Sequence, residues 1–255
     1  LNADGVNDLA VGAPGDDAGG SNRGAVHIMY MNTDGSVDST VKINDSTTNG
    51  PSLLNGDTFG SSITSIGDIN RDGVTDLVVG AHADDEGGSG RGAVHILYMN
   101  TDGSVKSTDE INSSTTSGPV LRDGDLFGIS VANMGDLDSN GVDDLAVGAT
   151  GDDTGGIGKG AAHILLLDST FTNSTHTISA KQYDAEDSET KGTYVHQQFS
   201  IKSIVSINDN TVNGPVLSNL DRFGISVANM GDLNGDGTDD LSVGAWRDDT
   251  GARNT

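Results

Sequence analysis

Cysteine is absent from the 255 residues, so neither a disulfide framework nor a thiolate zinc site can form. Aromatic side chains make up 4% of the chain, so its interior has to be built from aliphatic residues. Basic residues are scarce as well: 13 stand against 38 acidic ones, a formal charge of −25. Such a surface repels nucleic acid and anionic membranes, and both are set aside as partners. No apolar run approaches the ~18–20 residues of a membrane-spanning helix. Windows with a 3.6-residue apolar period are missing too, which excludes a helical bundle. The chain lacks an initiating Met and opens inside a repeated motif, so it is expected to be a fragment cut at both ends.

Glycine and aspartate are abundant, and they recur in register. In Gly231-Asp232-Leu233-Asn234-Gly235-Asp236-Gly237-Thr238-Asp239-Asp240 the residues Asp232, Asn234, Asp236 and Asp240 occupy loop positions 1, 3, 5 and 9. Gly237 at position 6 allows a sharp turn, and the Thr238 carbonyl stands at position 7. Alternating short oxygen donors of this kind suit calcium, a hard cation that takes roughly 6–8 oxygens. The same register places Asp68, Asn70, Asp72, Val74 and Asp76 in a second loop, and Asp136, Asp138, Asn140, Val142 and Asp144 in a third. Asn2, Asp4, Val6 and Asp8 form a fourth copy that lacks position 1. Ca2+ is therefore the expected ion, with a structural role. An EF-hand is excluded, because position 12 is Val79, Val147 or Val243 instead of Glu and a β-branched run follows each loop.

The loops belong to a larger repeat. Gly5, Gly73 and Gly141 are spaced by 68 residues, and Gly237 follows after 96. Each unit starts with Phe-Gly (Phe59-Gly60, Phe127-Gly128, Phe223-Gly224) and a short strand. The acidic loop comes next, then a second strand such as Asp76 to Ala81 and an acidic Gly-rich connection. A third strand, apolar on both faces (Gly24 to Met31, Gly92 to Met99), implies burial on both sides. An Asp-Gly turn and a polar fourth strand (about Val37 to Asn44, Val105 to Asn112) complete the unit. Four antiparallel strands per unit form a propeller blade, so the expected class is all-β. The boundaries predicted are a part-blade over 1–58, a blade over 59–126, a blade over 127–222 with an insertion near 168–207, and a part-blade over 223–255. The insertion, with Lys181, Lys191, Lys202, Tyr183, Tyr194 and Phe199, reads best as an elongated outer hairpin.

Phe-Gly, Gly-Asp-Leu-Asn-Gly-Asp-Gly-Thr-Asp-Asp-Leu and Gly-Ala together resemble the FG-GAP repeat family, which includes the N-terminal β-propeller of integrin α subunits. That resemblance implies a propeller, usually seven-bladed, with calcium in the hairpin between the first two strands of a blade. The blades present are too few to close such a ring, so further blades or domains are expected outside this fragment. Animal integrin propellers carry disulfides and this chain cannot, which points to a microbial surface protein. The function expected is an extracellular or cell-surface adhesion module whose rim loops meet a protein or glycan ligand. The alternatives are a propeller attached to a secreted hydrolase and a structural cell-envelope component.

Other chemistry in the chain reads as structural, and no catalytic residue is assigned. The paired acids Asp16-Asp17, Asp84-Asp85, Asp152-Asp153 and Asp248-Asp249 are expected as solvated loop residues facing Arg23, Arg91 or Lys159. His27, His95 and His163 repeat within the third strand and are expected to pack in the core. Gly128-Ile129-Ser130-Val131-Ala132 resembles a nucleophile elbow only superficially, since it recurs at Gly224 to Ala228 and no helix follows. Sequons at Asn44, Asn112 and Asn173 are compatible with a glycoprotein.

Overall fold

The computed structural model describes residues 1–168, 175–180, 190–195 and 200–247. Every regular element among them is a β-strand. The first sheet holds β1 (Leu9–Ala13), β2 (Ala25–Met31) and β3 (Val37–Ile43). The second is a meander of β4 (Ser62–Ser65), β5 (Leu77–Ala81), β6 (Ala93–Met99) and β7 (Val105–Ile111). The third contains β8 (Phe127–Asn133), β9 (Leu145–Ala149), β10 (Ala161–Asp168) and β13 (Ser200–Ile207). A hairpin of β11 (Thr175–Ala180) and β12 (Thr190–Val195) lies between β10 and β13 in sequence. β14 (Phe223–Asn229) and β15 (Leu241–Ala245) form the last sheet. All strand pairs within these sheets are antiparallel. We refer to the sheets as blades I to IV.

The expected strands fall where the repeat places them, with one correction. The fourth strand of blade III is Ser200–Ile207, which lies inside the stretch assigned to the insertion. Its Ile201-Lys202-Ser203 corresponds to Val105-Lys106-Ser107 of β7, and Ile201 packs into the core beside Leu167. The inserted hairpin is a separate two-stranded sheet and does not lengthen β10 and β13. Lys181, Tyr183, Phe199, the sequon Asn173 and the pair Asp248-Asp249 lie outside the described residues, as do the side chains of Lys191 and Tyr194.

Alternate side chains of each inner strand serve two different interfaces, as the two-residue period of a strand requires. From β5, Leu77, Val79 and Ala81 pack toward blade I with Ile28 and Tyr30. Val78 joins Val94 and Ile96 in the core shared with Leu145 and Val147 of blade III. Burial of each such side chain is worth about 1.5–3 kcal/mol, which replaces the aromatic core that the composition rules out. Ala132 and Ala146 continue the stack toward Val227 and Leu241 of blade IV. Sheets stacked face to face in this manner are propeller blades.

The Phe-Gly and Gly-Ala motifs form the joints between blades. Phe59, Phe127 and Phe223 make parallel bridges to Gly24, Gly92 and Gly160, each in the preceding blade. A Cβ on Gly80 or Gly148 would collide with the backbone carbonyl of Gly128 or Gly224, so glycine is what allows adjacent blades to touch. Ser62 and Ser130 donate hydroxyl hydrogen bonds to those same two carbonyls, each at 2.8 Å. This disposes of the elbow-like Ser130, which is a buried tie between blades.

In a four-stranded meander the first and third turns share one end of the blade, and the second turn and the outgoing linker share the other. The acidic loops and the Asp-Gly turns therefore occupy one end. The paired acids and the linkers occupy the opposite end.

Candidate metal centre

Each acidic loop is organised by backbone amides that point at its own carboxylates. The position-1 Asp accepts from the amides of positions 5 and 6. Asp68 takes Asp72 at 2.9 Å and Gly73 at 2.7 Å, Asp136 takes Asn140 at 2.9 Å and Gly141 at 2.7 Å, and Asp232 takes Asp236 at 3.0 Å and Gly237 at 2.8 Å. The turn at position 6 is left-handed, with φ of 89°, 85° and 88° at Gly73, Gly141 and Gly237. The position-7 amide then donates to the position-5 side chain: Val74 to Asp72, Val142 to Asn140, Thr238 to Asp236 and Val6 to Asp4, at 2.8–3.0 Å.

Position 9 ties the loop to the rest of its blade. Asp76 accepts from Ile69 at 3.2 Å and from Met99, at the end of β6, at 3.0 Å. Asp144 accepts from Leu137 at 2.9 Å and from Leu167 of β10 at 2.8 Å. Asp240 accepts from Leu233 at 2.9 Å. Asp8 accepts from Met31 at 3.2 Å and pairs with the α-amino group of Leu1 at 2.8 Å. Asn2 completes the first loop through its amide contact to Asp4 at 2.8 Å.

Asp76 and Asp144 are fully buried. Burial, with the charges of Asp72 and Asp68 adding to it, pushes the Asp76 carboxyl up to about 7. Burial likewise raises Asp144, to about 6, with Asp138 and Asp136 contributing. Both shifts record carboxylates crowded together in a low-dielectric place, a penalty that a bound cation would relieve.

In loop III Asp136, Asp138 and Asp144 each bring an oxygen within 4.8 Å of the others. Asp138 Oδ1 is buried without a hydrogen-bond partner, while its Oδ2 faces Lys202 Nζ at 2.6 Å. Hard oxygens and an orphaned acceptor fit a cation of the calcium type, whereas the Lys202 ammonium already neutralises part of the cluster. Loops II and IV share the backbone arrangement, but no such trio of carboxylates meets within that distance elsewhere among the described residues. Lys106 Nζ stands on Asp72 at 2.9 Å in loop II.

Of the described paired acids at the opposite end, Asp17, Asp85 and Asp153 are exposed as expected, while the first member of each pair is partly or fully covered. Asp84 and Asp152 are buried, and each caps its own turn by accepting from Glu86 or Thr154. Burial, then neighbouring acids including Asp57, raises Asp84 to about 6 and Glu110 to about 7. Asp125 rises to about 6 for the same reason. The three bases do not face the paired acids. Arg23 pairs with Asp45 at 2.5 Å, Arg91 with Asp123 at 2.8 Å and Lys159 with Asp209 at 2.6 Å, all acids of the linkers beyond the fourth strand. These partners are 22–50 residues away in sequence, which hid them from a local reading.

His95 and His163 are buried as expected, edge-on to Phe59 and Phe127 with centroids 5.4 and 5.6 Å apart, whereas His27 is only half-buried, in the blade with no described sheet over one face. A recess of about 390 Å³ opens at this end beside His163, Asp125, Asp152 and Arg122. Asn112 is buried and its amide donates to Glu110 at 2.6 Å, so a glycan has no room at that sequon. Among the described residues no helix is long and apolar enough to cross a membrane.

Stacked four-stranded blades, joined by glycine and bearing an acidic loop in the first hairpin, define a class of propeller repeat. The chain carries FG-GAP repeats: the model of that family matches residues 1–29 and 59–97. It is similar to integrin α chains. Integrin alpha-6 of Gallus gallus is 36% identical over 156 residues, covering 60% of this chain and 13% of that protein. Integrin alpha-PS5 of Drosophila melanogaster is 34% identical over 152 residues, covering 59% of this chain and 14% of that protein. Integrin alpha-3 of Cricetulus griseus is 35% identical over 172 residues, covering 66% and 14%. The chain thus spans about one seventh of the length of these relatives.

Proposed function

We propose that the chain is a calcium-stabilised propeller segment of an extracellular or cell-surface protein, and that it acts by binding a protein or glycan ligand as an adhesion or interaction module. The observation that carries this reading is the likeness to integrin α chains over about 60% of the chain, together with acidic loops repeated at one end of successive blades. Ca2+ would be held by Asp68, Asn70, Asp72, Asp76 and the Val74 carbonyl in blade II. Asp136, Asp138, Asn140, Asp144 and the Val142 carbonyl would hold it in blade III, and Asp232, Asn234, Asp236, Asp240 and the Thr238 carbonyl in blade IV. Asn2, Asp4, Asp8 and the Val6 carbonyl offer a reduced set in blade I.

The bound ion would neutralise the crowded carboxylates. The chain itself supplies the shape: position-6 glycines turn the loop, and position-9 aspartates tie it to the third strand. Among the described residues, Ser130 is tied to Gly224, and Asp84 and Asp152 cap turns. The ligand would be met at the end opposite the ion loops, where the recess beside Asp125 and Asp152 lies.

The test is retention of the 255-residue chain on cell surfaces and on a glycan array, in millimolar calcium and in excess chelator. Retention that is saturable in calcium and lost in chelator supports the reading. Identical retention in both, or none in either, contradicts it.

A further inference from the structure

In blades II and III a β-bulge on the fourth strand aims one residue at the acidic loop. In blade II, Met99 pairs with Val105 while Tyr98 pairs with Ser107, so Lys106 is the extra residue. In blade III, Leu167 pairs with Ile201 while Leu166 pairs with Ser203, which makes Lys202 the extra residue. Bulges re-aim a side chain locally, and both lysines reach the acidic loop of their own blade. Lys106 meets position 5 of loop II (Asp72, 2.9 Å) and Lys202 meets position 3 of loop III (Asp138, 2.6 Å). These contacts span 34 and 64 residues of sequence. In blade I the same bulge, with Met31 on Val37 and Tyr30 on Ser39, carries Asp38.

We propose that the residue at the fourth-strand bulge sets the ion affinity of its loop, and that Lys106 and Lys202 are resident counter-cations that a divalent ion must displace. The inference rests on the calcium reading of the loops. An ammonium beside a carboxylate neutralises it while the loop is empty, and it repels a divalent cation that approaches the same oxygens. The loops of blades II and III therefore keep their shape without an ion and bind one more weakly than their carboxylate count suggests. Blade I has Asp38, of opposite sign, at the same register position, so its loop has no lysine counter-cation from the bulge.

Four proteins decide the matter by calcium titration calorimetry and by melting in chelator: the full chain, Lys106→Met/Lys202→Met, Asp72→Asn, and Lys106→Met with Asp72→Asn, the last two compared with each other. The double-lysine variant is expected to bind calcium about 3–10-fold more tightly at two sites, an effect typical of one partly screened charge. It should also melt at a lower temperature than the parent in chelator. With Asp72 neutralised, loss of Lys106 should no longer tighten binding, since interacting positions are non-additive. Unchanged or weaker calcium binding in the double-lysine variant overturns the proposal and leaves the calcium reading intact. Absence of calcium binding in all four proteins overturns the calcium reading and the role of the lysines with it.

Discussion

Blades I and III contain the same pentapeptide, Leu-Ala-Val-Gly-Ala, as β1 and β9. In β9 all five residues are buried, whereas Leu9 and Val11 of β1 are 48% and 37% exposed. Blades III and IV share Phe-Gly-Ile-Ser-Val-Ala-Asn as β8 and β14, and the outcome is similar. Ser130 and Ala132 are covered, while Ser226 and Ala228 are exposed. Both members of each pair form a strand with the same partner registry. Secondary structure is thus written locally, but burial is conferred by whichever sheet lies against each face. Leu145 and Val147 look toward blade II, and no described sheet lies on the corresponding face of β1.

The sharpest way to break this comparison is to shave the same leucine in both copies. Leu145→Ala should cost about 3–4 kcal/mol in urea denaturation, as buried Leu→Ala changes do, and Leu9→Ala less than about 1 kcal/mol. Equal costs would mean that the two strands are not distinguished by stacking. A second pair concerns the joints. Gly148→Ala drives a methyl group into the Gly224 carbonyl and should cost about 2–3 kcal/mol. Gly244→Ala meets first only the Ser226 hydroxyl, which can swing aside, so its loss should be smaller.

A third prediction uses the ends of blades I and II away from the ion loops. Lys42, in register with His27, pairs with Asp16 at 2.7 Å and holds its carboxyl below the ordinary range. The corresponding position in blade II, in register with His95, is Glu110, so Asp84 faces another acid. Glu110, raised to about 7, and Asp84, raised to about 6, bind protons in the folded state that the unfolded chain has already released. Their contribution to stability is therefore full below about pH 4 and declines as the pH climbs toward about 7. Glu110→Gln keeps the acceptor for Asn112 and removes one titration. It should stabilise the chain at pH 7.5 by on the order of 1–2 kcal/mol after solvent screening is discounted, and leave it unchanged at pH 4. An unaltered slope of melting temperature against pH would contradict this account.

The strands and the acidic loops were legible because their signals are local and copied. Short apolar runs ending in Gly-Ala, Asp at alternate positions and a glycine turn recur without reference to the rest of the chain. The fourth strand of blade III was obscured because the inserted hairpin broke the spacing that made the other copies visible. The pairing of Arg23, Arg91 and Lys159 with linker acids depends on a sheet folding back on itself, which no window of sequence contains. Position 4 of the loops also escaped notice. Arg71, Ser139 and Ala3 adopt φ near 60° there, and only Gly235 of the fourth loop, with φ of 78°, hints at the requirement. The bulge that turns Lys106 and Lys202 toward the loops is visible only in the register of two paired strands.

Calcium is the smallest contribution per site and the most direct test of the whole account. Each ion is expected to add on the order of 1 kcal/mol at millimolar supply. Titrating calcium chloride into the chelator-stripped chain, with thermal melts recorded at each step, should give saturable binding near 0.1–1 mM and a midpoint that climbs with occupancy. A flat isotherm to about ten times that concentration, with a midpoint that never moves, would show that the acidic turns bind no calcium and draw no stability from it.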